Sequence, residues 1–398
     1  MKISQRAQKI APSITLATSA KAKALKESGL DVLSLTVGEP DFTTPKNIGA
    51  AAKKAIDNGT ASFYKPSAGI MELRQAIIER TKKDYGLTYH QNQVMVTEGA
   101  KFATFCLFQV LLDAGDEVLI PTPYWVSYSE QVKLAQGKSV FVGGKEANGY
   151  KVTVEELEAA RTTKTQALLL NSPCNPTGAV YTTEELQKIG EWAVAHDIVI
   201  LSDDIYGKLV YNKNKFTPIA TLSEKIRKQT IIINGVSKSY SMTGWRIGYV
   251  LGDEQIIQAM IAFASQSTSN CAAVSQYAAV EALTGTQETV EEMRQAFENR
   301  LNTIYPKFSA LPGFKLTKPQ GAFYLFPNIR ETLTLCGYEH VTDWVQDLLE
   351  EVQVAVVTGE GFGAPDNIRI SYATDLETLE KAVARMKTFI ESKIALKV

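Results

Sequence analysis

The chain has very little histidine. His90, His196 and His340 are its only three, they stand far apart, and none belongs to a set of His and Cys large enough to hold a metal. Zinc sites and Ser-His-Asp or Cys-His catalysis need more than this. An enzyme with this sequence is therefore expected to borrow its chemistry from a cofactor. Cysteine is also scarce. Cys106, Cys174, Cys271 and Cys336 are widely separated, which fits buried reduced thiols rather than a disulfide framework. Neither sign of charge dominates: 42 Lys and Arg face 43 Asp and Glu, for a net charge of −1. That leaves no basic footprint for nucleic acid or an anionic membrane. No apolar run approaches the roughly 20 residues that span a bilayer. The opening "MKISQRAQKIAPS" carries charge but no apolar stretch of the kind a secretory signal needs. The expected setting is the cytoplasm, with small molecules as partners and neither nucleic acid nor membrane.

What is present is an ordinary globular balance, 45% hydrophobic and 21% charged over 398 residues. A chain of that length predicts one large domain and a smaller one. Short apolar runs, "EVLIP", "SVFVG", "ALLLN", "IVILS", "TIIIN" and "IGYVL", alternate with helical patterns. One is "MELRQAIIERTKKDYG", with a stop at Gly86. Another is "AKFATFCLFQVLLDAGD". A third, "TTEELQKIGEWAVAHD", opens with a Thr182/Glu185 capping box. Near-continuous Val/Ile/Leu strands between helices predict an α/β domain with a mainly parallel sheet covered on both faces. The long helix "QETVEEMRQAFENRLNTIYPKF" should carry the chain into a smaller α+β domain with strands in "GAFYLFPNI", "VAVVT" and "NIRISYA". The expected division is an N-terminal arm over 1–12, a small domain from 13–44 and 290–398, and a large domain over 45–289. "TGEGFGA" at 358–364 lacks the last glycine of a dinucleotide loop, and Pro365 spoils the helix that should follow; it reads as a small-domain loop.

The polar oddities fall at strand ends. "PTPYWVSY" follows "EVLI", "NSPCNPTG" follows "ALLL", "DDIY" follows "IVILS", and "NGVSKSY" follows "TIII". Ligands of parallel sheets bind at that edge. Pyridoxal phosphate would ask such a cluster for four things. It needs a lysine amine for its aldehyde and a carboxylate facing its ring nitrogen. Its phosphate needs a helix N-terminus with an arginine. Its flat ring needs an aromatic wall. The sequence offers Lys238, Asp203, the "EGAK" helix start with Arg246, and Trp125. Of the adjacent carboxylates, Asp204 is the one expected to cap a helix.

The segments "VGEPDF", "FYKPSAGI", "TPYW", "NSPCNPTG", "SDDIY", "SKSYSMTGWRIGY" and "NIRISYA" occur in an order and spacing that resembles the class I, fold-type I, pyridoxal-phosphate-dependent aminotransferases, of the bacterial aspartate aminotransferase kind. The resemblance covers essentially the whole chain, and the ordered set with S-K-x5-G-x-R is its specific part. It implies that Lys238 joins the cofactor aldehyde and moves the substrate's proton. Asp203 would face the pyridine nitrogen, Asn175 and Tyr206 the phenolic oxygen, and Trp125 the ring. Gly99, Ala100, Lys101, Ser237 and Arg246 would surround the phosphate, with Tyr64 supplied by a second subunit of a homodimer. Arg369 would grip the substrate α-carboxylate and Gly38 would meet it through backbone. The resemblance also implies cis peptides at Thr122-Pro123 and Asn175-Pro176. Where the family usually has Ser or Thr three residues before the lysine, this chain has Gly235, which removes one hydroxyl donor. The implied reaction moves an amino group between aspartate and 2-oxoglutarate; prephenate or an aromatic keto acid is the alternative substrate. No motif places an arginine for the side-chain carboxylate. Lys101 is the expected substitute, with Ser13 and Thr15 adding hydroxyls.

Overall fold

A computed structural model describes residues 2–397. Met1 of the expected arm and Val398 of the expected small domain lie outside it. The strands in chain order are β1 (Leu33–Ser34), β2 (Val94–Thr97), β3 (Glu117–Thr122), β4 (Lys138–Gly143), β5 (Thr165–Asn171), β6 (Val199–Asp203), β7 (Thr230–Gly235), β8 (Gly248–Leu251), β9 (Tyr324–Leu325), β10 (Val354–Ala355), β11 (Val357–Thr358) and β12 (Ile368–Ser371). Seven of them form one sheet in the order β2-β8-β7-β6-β5-β3-β4. The pairs from β4 through β3, β5 and β6 to β7 are parallel. β8 runs antiparallel to both β7 and β2, so the sheet is mainly, not wholly, parallel.

Both faces of this sheet are buried, which is why its strands read as unbroken apolar runs. Successive residues of a strand point to opposite faces. Leu119, Leu168, Leu170 and Ile200 pack on one side, against Leu186, Ile189 and Trp192 of the helix Thr183–Ala195. Val118, Ile120, Leu169 and Leu201 pack on the other, against Leu107 and Phe108 of the helix Ala100–Leu111. Each such buried side chain contributes roughly 1.5–3 kcal/mol. The helices begin and end where their chemistry dictates. Thr182 Oγ1 accepts from the Glu185 amide at 3.2 Å while Glu185 accepts from the Thr182 amide at 2.8 Å. Gly86 stops Met71–Tyr85 in the left-handed region, at φ 72°, where a side chain would be strained.

The 22-residue helix Glu288–Ser309 leads into a second cluster of elements. There β11, β12 and β9 form an antiparallel sheet, and β10 pairs in parallel with β1. The expected single strand "VAVVT" is thus split at Val356 between two sheets. Trp344, Phe308, Phe389 and Leu348 fill this core, and Ile205, Tyr206 and Leu209 from the turn after β6 belong to the same cluster. The core therefore runs without a break from that turn into the C-terminal elements. After Thr358 ends β11, residues 359–364 form a loop with a short 3-10 turn, Glu360–Phe362, and β12 rather than a helix follows. No helix among the described residues is long and apolar enough to cross a membrane.

Candidate active site

The carboxyl ends of the parallel strands meet at one cleft of about 500 Å³. β5 ends at Asn171 and β6 at Asp203, which lie side by side in the sheet register. β7 ends at Gly235, so the next turn delivers Ser237 and Lys238 to the same edge. Trp125 follows β3, and Ala100 and Lys101 begin the helix behind β2. From the C-terminal elements come Arg369 on β12 and Tyr324 on β9; from the N-terminal segment come Ser13, Thr15, Gly38 and Glu39.

Lys238 is half-buried along the cleft, and its amine is enclosed by protein atoms. Its Nζ donates to the Gly38 carbonyl at 2.6 Å. Burial pushes this amine down to about 8; Arg246 and Arg369 push the same way, and Glu39 and Asp203 oppose them. Asp203 is 3% exposed. One carboxylate oxygen accepts from the Tyr128 hydroxyl at 2.7 Å and the other from the Ile205 amide at 3.2 Å. Burial raises its pKa, while these bonds and Lys238 favour the charged form. Asn171 ties the edge together, donating to the Asp203 carbonyl at 2.9 Å and accepting from the Asn175 amide at 2.9 Å.

Asp204 does not cap a helix as expected. No helix starts there, and Asp203 instead caps the turn. Asp204 points away from the site, toward a second cleft of about 440 Å³ lined also by Tyr85, Tyr240 and Tyr249. It accepts from Ser202 Oγ at 2.6 Å, and burial pushes it up to about 8, against the opposing pull of Ser202 and of Tyr85 nearby. Burial raises both adjacent carboxylates; at Asp203 two donors and Lys238 oppose that rise, and at Asp204 the neighbouring charge of Asp203 adds to it.

The Arg369 guanidinium is 2% exposed and anchored at both ends. Nη1 donates to Asn175 Oδ1 at 3.1 Å and Nη2 to the Thr36 carbonyl at 2.9 Å. It lies 4.5 Å from the centre of the Tyr324 ring, and its Nε has no partner among the described residues. A buried guanidinium without a counter-ion needs an anion to complete it. Tyr206 shares a 2.9 Å hydroxyl contact with Tyr324. Gly38 abuts that hydroxyl: a Cβ there would fall 2.8 Å from it.

Arg246 folds over the helix start, donating to the carbonyls of Thr243 at 2.8 Å and Glu98 at 3.1 Å. Gly99, with φ 84°, precedes the first helical residue, and a Cβ there would fall 2.4 Å from the Arg246 guanidinium. Only glycine leaves room for the arginine beside the start of this helix, whose first amides have no partner within it. Lys101 lies 4.8 Å from the Trp125 ring; partial burial and Arg246 push its amine below the usual range. Gly235 has a packing reason, since a Cβ would sit 2.9 Å from the Ile247 carbonyl. Ser13 and Thr15 bond each other at 2.9 Å, and Ser13 also caps the helix Ile14–Glu27. Tyr64 is not at this cleft; it is 92% exposed. Both expected cis peptides are present, as is a third at Ser172-Pro173.

The donor set fits pyridoxal phosphate on the structure's own terms: an enclosed lysine, a buried carboxylate with two hydrogen-bond donors, an arginine over a helix N-terminus, and a partly buried tryptophan. Among the described residues no cluster of His, Cys, Asp or Glu could hold a metal. Fold and site together define a fold-type I enzyme that works through pyridoxal phosphate. The chain matches the family model for aminotransferase class I and II over residues 30–386. It is 54% identical, over 98% of its length and 99% of the relative's, to an aspartate aminotransferase of Bacillus subtilis. It is 56% identical, over 98% and 99%, to an asparagine–oxo-acid transaminase of Streptococcus mutans serotype c. The solved aspartate aminotransferase of Thermus thermophilus with maleate superposes with a TM-score of 0.93 at 39% identity, covering 98% of this chain and 99% of that one. The protein belongs to the class I and II aminotransferase family, and its cofactor is pyridoxal phosphate.

Tyr128, Asn171, Thr36, Tyr324 and Glu39 were not foreseen at the site. "WVSY" and "VGEPDF" contain two of them, but nothing in their spacing marks a hydroxyl that reaches a carboxylate 75 positions away.

Proposed function

We propose that the protein is an aspartate aminotransferase, moving an amino group reversibly between L-aspartate and 2-oxoglutarate. The observation that carries this reading is a pair of cations, Arg369 and Lys101, facing one cleft with Lys238. A dicarboxylic substrate asks for two cationic contacts, and the aspartate aminotransferase name of the Bacillus relative supports the same choice.

Bound here, pyridoxal phosphate supplies an aldehyde to take up the amino group and a ring to accept electrons when the Cα proton leaves. The chain's residues do the rest. Lys238 Nζ, brought near neutrality by burial, takes the proton from one carbon and returns it to another. Asp203, which accepts from Tyr128 and the Ile205 amide, would face the ring nitrogen and favour a proton there. Asn175 and Tyr206 would donate toward the phenolic oxygen, and Trp125 would cover the ring. Gly99, Ala100, Lys101, Ser237 and Arg246 would hold the phosphate. Arg369 orients the α-carboxylate with Gly38, and Lys101, Ser13 and Thr15 meet the side-chain carboxylate.

The same reading gives residues 13–44 and 290–398 the role of a small domain set against 45–289, with 1–12 as an arm. It makes the working form a cytoplasmic homodimer in which each Tyr64 enters the neighbour's site. The asparagine–oxo-acid name of the Streptococcus relative favours one second reading, an amide in place of the side-chain carboxylate. The test is a panel of single half-reactions, following loss of the cofactor's visible absorbance with aspartate, glutamate, asparagine and phenylalanine. Aspartate and glutamate should react fastest. A faster asparagine reaction would establish the second reading, and a faster phenylalanine reaction the prephenate or aromatic one.

A further inference from the structure

We propose that Tyr324 is a positioning residue: its hydroxyl donates to Tyr206 and thereby turns the Tyr206 proton toward the cofactor. The proposal rests on the place given to Tyr206 beside the phenolic oxygen. The geometry starts from a count of protons. Tyr206 and Tyr324 are 2% and 1% exposed, and their hydroxyls share one contact of 2.9 Å. Neither hydroxyl has another hydrogen-bond partner among the described residues. Two hydroxyls thus bring two protons to a contact that uses one. A buried donor is rarely left unused, so the pair presents a spare proton to an acceptor that the described residues do not supply. Both tyrosines line the cleft that holds Lys238.

The surroundings decide which oxygen keeps that spare proton. The Tyr324 hydroxyl abuts Gly38, so closely that a Cβ there would fall 2.8 Å from it. That side offers carbon rather than an acceptor. The Tyr324 ring is covered by the Arg369 guanidinium, 4.5 Å from its centre. That guanidinium is itself anchored to Asn175 and to the Thr36 carbonyl. Tyr324 is therefore a fixed point on β9, held by an anchored cation on one face and a glycine at its tip. Its hydroxyl finds an acceptor in Tyr206, which leaves the Tyr206 proton for the cleft. A hydroxyl that accepts one hydrogen bond donates a stronger one. A donor to the phenolic oxygen stabilises the negative charge there, so the oxygen holds less tightly the proton it shares with the lysine–cofactor linkage.

The deciding measurement is a pH titration of the visible absorbance of the full-length protein, loaded with pyridoxal phosphate and free of substrate. It reads the site and not turnover, so it stands whether or not aspartate proves to be the substrate. The charged groups facing Tyr206 are Arg369 and Asp203. Those facing Lys238 are Glu39, Arg246, Arg369 and Asp203, and no variant alters any of them. Tyr324→Phe keeps the ring over Arg369 and removes only the hydroxyl. It should raise the midpoint by about half a pH unit, a roughly threefold tighter hold on the proton. Tyr206→Phe should raise it further, and the double variant should match Tyr206→Phe alone, because Tyr324 acts through Tyr206. An unchanged or lowered midpoint in Tyr324→Phe, beside a raised one in Tyr206→Phe, overturns the proposal and leaves Tyr206 in its place. Shifts that add in the double variant overturn it as well, since Tyr324 would then act without Tyr206. A midpoint unmoved in Tyr206→Phe removes Tyr206 from the phenolic oxygen and overturns the proposal with it.

Discussion

Tyr128 donates its buried hydroxyl to Asp203 at 2.7 Å, from a ring that is itself 1% exposed. A carboxylate removed from water must be held charged by donors, because burial alone favours its neutral form. The Ile205 amide is the second donor, and it is longer, at 3.2 Å. Tyr128 is therefore the main local restraint on the charge that the role proposed for Asp203, facing the cofactor's ring nitrogen, requires.

Tyr128→Phe should leave the fold intact and raise the pKa of Asp203 further. Asp203 supports activity only when ionised, so activity is lost as pH falls through its folded pKa. The variant's acid limb of kcat/KM should move to higher pH. A hydrogen bond to a charged group is worth about 1.5–3 kcal/mol, so kcat/KM at pH 7 should drop roughly tenfold or more. An acid limb that stays in place would show that Tyr128 serves only packing.

Asp204 makes a prediction of opposite kind, about stability. Its pKa rises from 3.8 to about 8 on burial. Between those values the folded protein binds a proton that the unfolded chain does not, so this group costs stability as pH rises through the window. Asp204→Asn stays neutral and can still accept from Ser202. The melting temperature of the variant relative to wild type should therefore climb from pH 5 to pH 8. A difference that does not change with pH would mean that Asp204 is solvated and ionised throughout.

Lys238→Ala removes the group proposed to carry the proton. Loss of a general base costs about 10²–10⁴-fold, so turnover should fall by at least that much while the cofactor still binds through its phosphate contacts. Cofactor retention is read by absorbance after gel filtration, and turnover by coupled assay. Near-normal turnover would place the proton transfer on another group.

How much of this was legible in the sequence depends on the range of the interaction. The strands from β3 to β8 were plain, because burial on both faces writes itself into composition. The direction of β8 was not, since an antiparallel strand with two covered faces carries the same residues as a parallel one. β2 is four residues beside a polar loop and β1 is two residues, too short to show a period, whereas β9 lies within "GAFYLFPNI" and β10 and β11 within "VAVVT", both legible as strands. Lys238, Asp203, Asn175, Arg246 and Arg369 stood out because each motif sits at a strand end or interrupts an apolar run. Tyr128 and Glu39 did not, because their partners Asp203 and Thr243 lie 75 and 204 residues away. Asp204 was misread as a cap because position alone cannot say whether a helix follows.

Tyr64 tests assembly. A tyrosine that is 92% exposed, beside Phe63 at 73%, is unusual for an isolated chain, and large exposed aromatics mark contact surfaces. Sedimentation should show a dimer. Mixing Tyr64→Phe protein, which keeps its lysine, with Lys238→Ala protein, which keeps its tyrosine, should produce heterodimers with one complete site. Cofactor affinity in those sites should exceed that of the Tyr64→Phe homodimer. No recovery after demonstrated subunit exchange would make each site self-sufficient.

Lys101 decides the substrate's side chain. Its amine lies over Trp125 at 4.8 Å and shares the cleft with both Arg246 and Arg369, the residues proposed to hold the phosphate and the substrate α-carboxylate. An ammonium is a point charge without arginine's planar fork, so it should bind an acidic side chain while discriminating less sharply among acids of different shape. Lys101→Ala should cost aspartate about 1.5–3 kcal/mol in kcat/KM, the worth of one charge-assisted contact, and cost phenylalanine much less. The measurement is kcat/KM for both amino acids in both proteins. Equal losses would assign Lys101 to the cofactor phosphate, since a phosphate contact is common to every substrate. The side-chain carboxylate would then fall to Ser13 and Thr15, whose paired hydroxyls stand at the same cleft on the capped start of the first long helix.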